Sequence, residues 1–288
     1  MNKISHLILF ILLCSLCCFA QIGMNLKAEK ERYLRYEPID LTLTLRNYSG
    51  NTLIFGKSGS DGTEQGRLAF IIKMQDGSTV VPMAGHINPL EGMVFAPGET
   101  KELVLTINKY YNMQKDAFYK VTAYVDHKRM SKAFVSNAVS FEVREGILIT
   151  SKVIGLPTAG DDEMIKSINA SLMRFNDGQD DVYCLRIEDD KTVFGTFRIG
   201  PCITGSTPQL DADEASAIHV LVQVRPRLYC YSVYSIIGGE AKLRQQRYYK
   251  PDNGVPTLSR APGYLKILYA VQAVEGTDFR FGKEAWKR

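Results

Sequence analysis

The chain has 288 residues, with 35 Lys and Arg against 31 Asp and Glu and a formal charge of +4. So even a balance excludes the one-sided field of a nucleic-acid or anionic-surface binder. The length suffices for two domains of ordinary size, and beyond residue 20 no stretch approaches the roughly eighteen consecutive apolar residues of a spanning helix.

The chain opens on a pattern that predicts a cleaved export signal over residues 1–20. Lys3 supplies the positive start, Leu7 to Leu13 an unbroken apolar run, and Cys18-Phe19-Ala20 the small residues before a cut at Gln21. Leu16 or Cys17, where a lipobox wants a small residue, argues against lipidation of Cys17 or Cys18. Losing the leader removes Lys3 and no acid, which leaves the mature charge one lower than +4. It also removes Cys14, Cys17 and Cys18, leaving Cys184, Cys202 and Cys230, an odd set that permits at most one internal disulfide. Buried free thiols are one reading of these three, and a Cys184–Cys202 bridge is the other.

From residue 21 to 145, short alternating runs and turn signals recur. Ile39-Asp-Leu-Thr-Leu-Thr-Leu-Arg46 alternates strictly, the mark of a strand with one face in a core and one in water. Asn47-Tyr48-Ser49-Gly50-Asn51 closes it with turn chemistry. Further strands are predicted over Thr52–Phe55, Leu68–Met74, Thr79–Met83, Glu102–Ile107, Tyr119–Val125 and Ala138–Val143, with Asp76-Gly77 as a hairpin turn. That number of short strands predicts an immunoglobulin-like β-sandwich, without the Cys and Trp landmarks of antibody domains.

Glu31-Arg32-Tyr33-Leu34-Arg35-Tyr36-Glu37-Pro38 followed by Leu41 to Asn47 resembles the opening of a macroglobulin-type domain. The Asn-ended strand, the Asp-Gly hairpin and Phe95-Ala96-Pro97-Gly98-Glu99 are similar to bacterial proteinase-inhibitor domains of the BsuPI type. These resemblances cover residues 26–145. They imply a fold and protein binding, and carry no active-site residue across.

Residues 146–180 read as a linker strand, Ile147 to Ile154, and one amphipathic helix. Asp161 or Asp162 would cap the helix, Glu163 would sit in its first turn, and Ile165, Ile168, Leu172 and Phe175 would form one apolar stripe. Asn176-Asp177-Gly178 would stop it.

Residues 181–288 read as a β-meander with a C-terminal tail. Strands are predicted over Val182–Glu188, Thr192–Ile199, Ile218–Val224, Leu228–Ile237 and Ala241–Tyr249, with Arg225-Pro226-Arg227 and Gly238-Gly239 as turns. A unit also recurs: Pro208-Gln209-Leu210 leads to Ile218-His219-Val220-Leu221, and Pro256-Thr257-Leu258 leads to Tyr264-Leu265-Lys266-Ile267. This pattern resembles the blades of β-propeller proteins over residues 182–274, where it implies a strand entering a blade and a next strand lining a channel. Four blades is the usual minimum for closure, and this module holds two or three.

Little of the polar complement points to a reaction. Asp211 and Asp213, with Glu214, are weak candidates for holding a hard cation, against the simpler reading of a polar turn. His219 lies in an apolar strand, where it would face a channel or the core. There is no Gly-x-Ser-x-Gly elbow, no phosphate-binding loop, and no Cys-x-x-Cys beyond the leader. Tyrosine is the unusual feature. Tyr229 and Tyr231, two apart on one strand face, combine with Arg225, Arg227, Arg244 and Arg247 into the composition of a binding or sugar-stacking surface. The competing reading is that these rings fill the sheet.

The sequence therefore predicts an exported, mainly β, non-catalytic binding or adaptor protein without a cofactor. Its expected site is Tyr229, Tyr231, Arg225, Arg227 and His219, and its expected partner a protein or a surface glycan. Nucleic acid and a membrane span are not expected, and a homo-oligomer is compatible. A proteinase inhibitor acting through the first half, or a glycan-active enzyme with two converging carboxylates, is the alternative.

Overall fold

The computed structural model describes residues 22–56, 66–83, 88–130, 132–156 and 166–280. The expected leader, His86, the Asp161–Ile165 stretch and Trp286 lie outside them. Strands account for 64% of the structure, and no helix reaches seven residues among the described residues. None is long and apolar enough to cross a membrane. The chain divides into two compact units. One comprises the chain up to Glu31 together with Pro38–Val143, and the other Arg32–Glu37 together with Arg144 onward.

Among the described residues of the first half, nine strands run in order: β1 (Ile22–Ala28), β2 (Arg32–Leu34), β3 (Asp40–Asn47), β4 (Leu53–Phe55), β5 (Gly66–Met74), β6 (Met93–Phe95), β7 (Thr100–Thr106), β8 (Ala117–His127) and β9 (Phe134–Arg144). In the first unit β1, β3 and β7 form one antiparallel sheet, β5, β8 and β9 another, and β4 pairs with β6. The alternation read from β3 appears as burial: Leu41, Leu43 and Leu45 are buried, while Thr42 and Thr44 are half-buried. Each such leucine contributes on the order of 2 kcal/mol by leaving water. Asn47 ends the strand for a physical reason. Its amide donates to the carbonyls of Asn51, Phe95 and Ala96, and its Oδ1 accepts from the Ser49 amide, so one buried side chain satisfies the turns that follow β3 and β6. The segment expected as a strand over Thr79–Met83 makes only isolated bridges, Lys73 to Thr79 and Pro82 to Tyr111.

The second unit is layered. β10 (Ile147–Leu156), β11 (Lys166–Asn176), β12 (Asp181–Glu188) and β13 (Val193–Pro201) form an antiparallel meander in chain order. β14 (Gln209–Ala212), β15 (Ile218–Arg225), β16 (Leu228–Ile237) and β17 (Glu240–Pro251) form a second. The chain then leaves as a hairpin, β18 (Thr257–Ala261) and β19 (Tyr264–Leu268), and returns as β20 (Ala270–Gln272) to pair with β17. One face of each meander meets the other in a core that includes Ile168, Leu172, Leu185 and Ile187 against Ile218, Val220, Val222 and Cys230. The first meander's other face is covered by Leu34, packed on Met173, Phe175, Val182 and Cys184. The second meander's other face carries Leu221, Tyr229 and Tyr231, with Leu258 and Ile267 of the hairpin packed against them.

The amphipathic helix is a misreading: residues 166–176 are strand β11. Ile168 and Leu172 face the inner core, and Phe175 faces Leu34 on the opposite side. A strand buried on both faces carries apolar residues at both parities, and three of them mimicked a helical stripe. The turns were better specified. Gly238 and Gly239 both have positive φ, at 62° and 81°, as a two-residue hairpin with the sheet's twist requires. Asp189 accepts the amides of Lys191 and Thr192 between β12 and β13.

Candidate functional site

Strand pairing builds one face from residues far apart in sequence. On the outer face of the second meander, Gln223 lies opposite Tyr229, Tyr229 opposite Tyr249, and Tyr249 opposite Gln272, a single row across β15, β16, β17 and β20. A parallel row sets Leu221 opposite Tyr231 and Tyr231 opposite Arg247. Because side chains alternate along each strand, residues two apart share this face, and Tyr229, Tyr231 and His219 fall on it together. Tyr231 meets Tyr249 edge-on, with ring centroids 6.1 Å apart.

Beside these rows sits a hydrogen-bonded chain of three side chains. His219 Nδ1 lies 2.6 Å from the Tyr231 hydroxyl and its Nε2 3.0 Å from Asp213 Oδ2. With the proton on Nε2, the ring donates to Asp213 and accepts from Tyr231. Asp213 is fixed in turn because its Oδ1 accepts the amides of Ala215 and Ala217, the polar turn anticipated between β14 and β15. Burial pushes the Tyr231 hydroxyl up to about 12, Tyr249 and Asp213 push the same way, and Arg247 opposes them. Burial likewise raises Tyr229. Phenols held protonated so far above neutrality act as hydrogen-bond donors rather than as nucleophiles or bases.

The expected site residues are thus partly gathered and partly scattered. Tyr229, Tyr231 and His219 are together, but they are 9%, 7% and 6% exposed: the β18–β19 hairpin packs on the two tyrosines, and His219 is enclosed with Tyr231 and Asp213. The rings expected to form a binding surface are thus largely covered in this conformation. Arg225 and Arg227 stand at the β15–β16 turn, where Arg225 Nη1 donates to the Arg280 carbonyl and Arg227 adopts a left-handed φ of 60°. The cation across from Tyr231 is instead Arg247, which is exposed.

The two aspartates do not converge. Asp213 serves His219, whereas Asp211 accepts from Arg260 Nε at 3.0 Å and pairs with Lys152 at 3.1 Å. No group of three or more His, Cys, Asp or Glu side chains able to hold a metal occurs among the described residues. Cys184, Cys202 and Cys230 are thiols and not in a disulfide, so the Cys184–Cys202 bridge is also corrected. Cys184 faces the Leu34 layer while Cys202 packs against the inner core, on opposite sides of the first meander.

Sequence reading missed Gln223, Gln272, Gln209 and Arg260. Polar residues on a strand give no sign of what lies opposite, and only register or the fold-back of the hairpin brings them to the face. No family model, curated protein or solved structure matches this chain.

Proposed function

We propose that this chain is an exported, non-catalytic binding protein whose second unit recognises a surface glycan through its tyrosine face, the immunoglobulin-like first half serving as spacer or adaptor. The observation supporting this reading is the pair of cross-strand rows, Gln223–Tyr229–Tyr249–Gln272 and Leu221–Tyr231–Arg247. Aromatic faces stack on the C–H surface of a sugar ring, while flanking amides and a guanidinium hydrogen-bond its hydroxyls. Such a platform needs no ionised nucleophile, in keeping with the raised Tyr229 and Tyr231 hydroxyls. Export is carried by the leader pattern from Lys3 to Ala20, with cleavage before Gln21.

The test is a glycan array probed with the labelled mature chain, alongside Arg247→Ala and Tyr249→Ala, two positions at the more open side of the platform. Wild type should bind at least one neutral glycan class, and each variant should bind about tenfold more weakly, in the range expected of a contact residue. Capture of a protein with no glycan bound would transfer the platform to a protein partner. Equal binding by both variants would remove it as the site.

A further inference from the structure

We infer that the β18–β19 hairpin is a flap over the tyrosine face, and that the site beneath it takes a neutral pyranose ring; the ligand half of this inference rests on the glycan-binding reading above. The hairpin is an excursion between β17 and β20, and its strands pair only with each other. Its neck is narrow and defined. Asp252 donates its amide to the Tyr269 carbonyl at 2.9 Å, and two non-glycine residues, Asn253 and Tyr269, hold left-handed φ values of 53° and 56° at its two ends. Gly254 is required there, because a Cβ would stand 2.9 Å from Cγ of the Tyr269 ring. Changes confined to a few residues of such a neck can swing the hairpin as a body, as hinges elsewhere absorb large motions.

Among the described residues, the polar bonds that fasten the hairpin lie along its β18 side and its tip. The Gln209 side chain donates to the Pro256 carbonyl and accepts from the Leu258 amide. Arg260 holds Asp211 and the Ala212 carbonyl, and Glu214 accepts the Gly263 amide. Apolar contact adds to these clips: Leu258 and Ile267 pack on Leu221, Tyr229 and Tyr231, and Leu265 of the same hairpin is buried as well. A stack held by a few polar clips over an apolar floor separates without unpairing any strand of the meander. The floor it exposes is complete: two tyrosine faces, the Asp213–His219–Tyr231 chain at one end, and Gln223, Arg247 and Gln272 around them. The hairpin's apolar side chains and the C–H face of a sugar compete for the same rings. Apparent affinity is then reduced by the fraction of molecules with the flap closed.

The test uses hydroxyl-radical footprinting of the full mature chain, which reads the exposure of individual rings. Tyr234 is the internal control, because it belongs to the same strand but to the inner core, only 2% exposed. Arg260→Ala, and separately Asp211→Asn, should raise labelling of Tyr229 and Tyr231 at least threefold with Tyr234 unchanged. Both should also bind the probe, chitohexaose or cellohexaose, several-fold more tightly, and the bound probe should protect the two rings. Unchanged labelling, or a rise at Tyr234 in step with the others, overturns the flap. Binding that Arg247→Ala weakens about tenfold but Arg260→Ala leaves at the wild-type value also overturns the flap while sparing the platform. Flap opening without ring protection by either hexasaccharide overturns the ligand assignment and leaves the gating intact.

Discussion

Glu37 and Arg198 are 161 residues apart in the chain, and their side chains close a two-pronged pair at 2.7 and 3.0 Å in the interior of the second unit. Arg198 also donates to Asp177 at 3.1 Å and to the Arg32 carbonyl at 2.9 Å, and its guanidinium lies over the Phe175 ring. Glu37 in turn accepts the Leu34 amide. Burial alone would lower the guanidinium's pKa, and Glu37, with smaller help from Cys184 and Asp177, more than reverses that, so the net shift is upward. This pair therefore helps to hold the segment Arg32–Glu37 against the first meander, alongside the bond from Arg32 to Asn176. Arg198→Met takes this guanidinium away from the buried Glu37 and should cost about 3–5 kcal/mol, read from the urea midpoint of the second unit. Adding Glu37→Gln to that variant should recover much of the loss. A double variant no more stable than the single would show that the pair's geometry, rather than its charge, holds the segment.

Gly200 on β13 and Val224 on β15 mark where the two meanders approach most tightly among the glycines of this unit. A Cβ at residue 200 would stand 2.4 Å from Val224 Cγ1, and valine has no flexible end to move aside. Gly200→Ala should destabilise by about 1–3 kcal/mol, the usual range for overpacking. Adding Val224→Ala should restore part of that by making room, and a thermal melt of the three variants measures both steps. Strictly additive losses would mean that the layers are not in contact at this point.

Legibility in the sequence tracks how each residue is used. Strands with one wet face announce themselves by alternation, as β3 does through Leu41, Leu43 and Leu45. The turns at Asp76-Gly77 and Gly238-Gly239 follow from glycine's access to positive φ. β11 was hidden because both its faces are buried, the second by Leu34, a residue from the far end of the sequence. The recurrent Pro-x-Leu units do correspond to real structure: each begins a short strand, β14 or β18, and Gln209 of the first bonds the backbone of the second. Their contact could not be read, because a hairpin's fold-back depends on its neck at Asn253 and Tyr269 rather than on any period. His219 and Tyr231 were each singled out, but their bond to each other and to Asp213 depends on the β15–β16 register and the turn before β15.

The thiols give an independent check on the layers. Burial pushes Cys202 up to about 12, with Asp181 adding to the rise. At pH 8 its thiolate fraction should therefore be on the order of 1 in 10,000. In a native chain beginning at Gln21, Cys184, Cys202 and Cys230 should resist iodoacetamide at that pH, and all three should react once urea is added without reductant. A single reactive thiol in urea would mean that a disulfide had formed, which the opposite facing of Cys184 and Cys202 forbids without rearranging the first meander.

Asp211 makes the hairpin's fastening depend on pH. Burial would raise its carboxyl, but hydrogen bonds from Arg260, the Ala212 amide and Lys152 outweigh this and hold it below the usual 3.8. On acidification the unfolded chain, or the open hairpin, takes up the proton before the closed form does. The stabilisation is thus whole above the usual value and is lost as pH falls from there through the lowered one. Arg260 is exposed and Asp211 only half-buried, so the effect on global stability is small and screened by salt. It is concentrated in the hairpin, where hydrogen exchange of the β18 and β19 amides measures it. At about pH 5 and above, Asp211→Asn should exchange these amides faster than wild type by a constant factor. That factor should shrink towards one as pH falls below about 4, where wild type loses the same charge. A ratio that stayed constant down to pH 3 (about one unit below the usual carboxylate value) would show that the carboxylate's charge does not hold the hairpin closed.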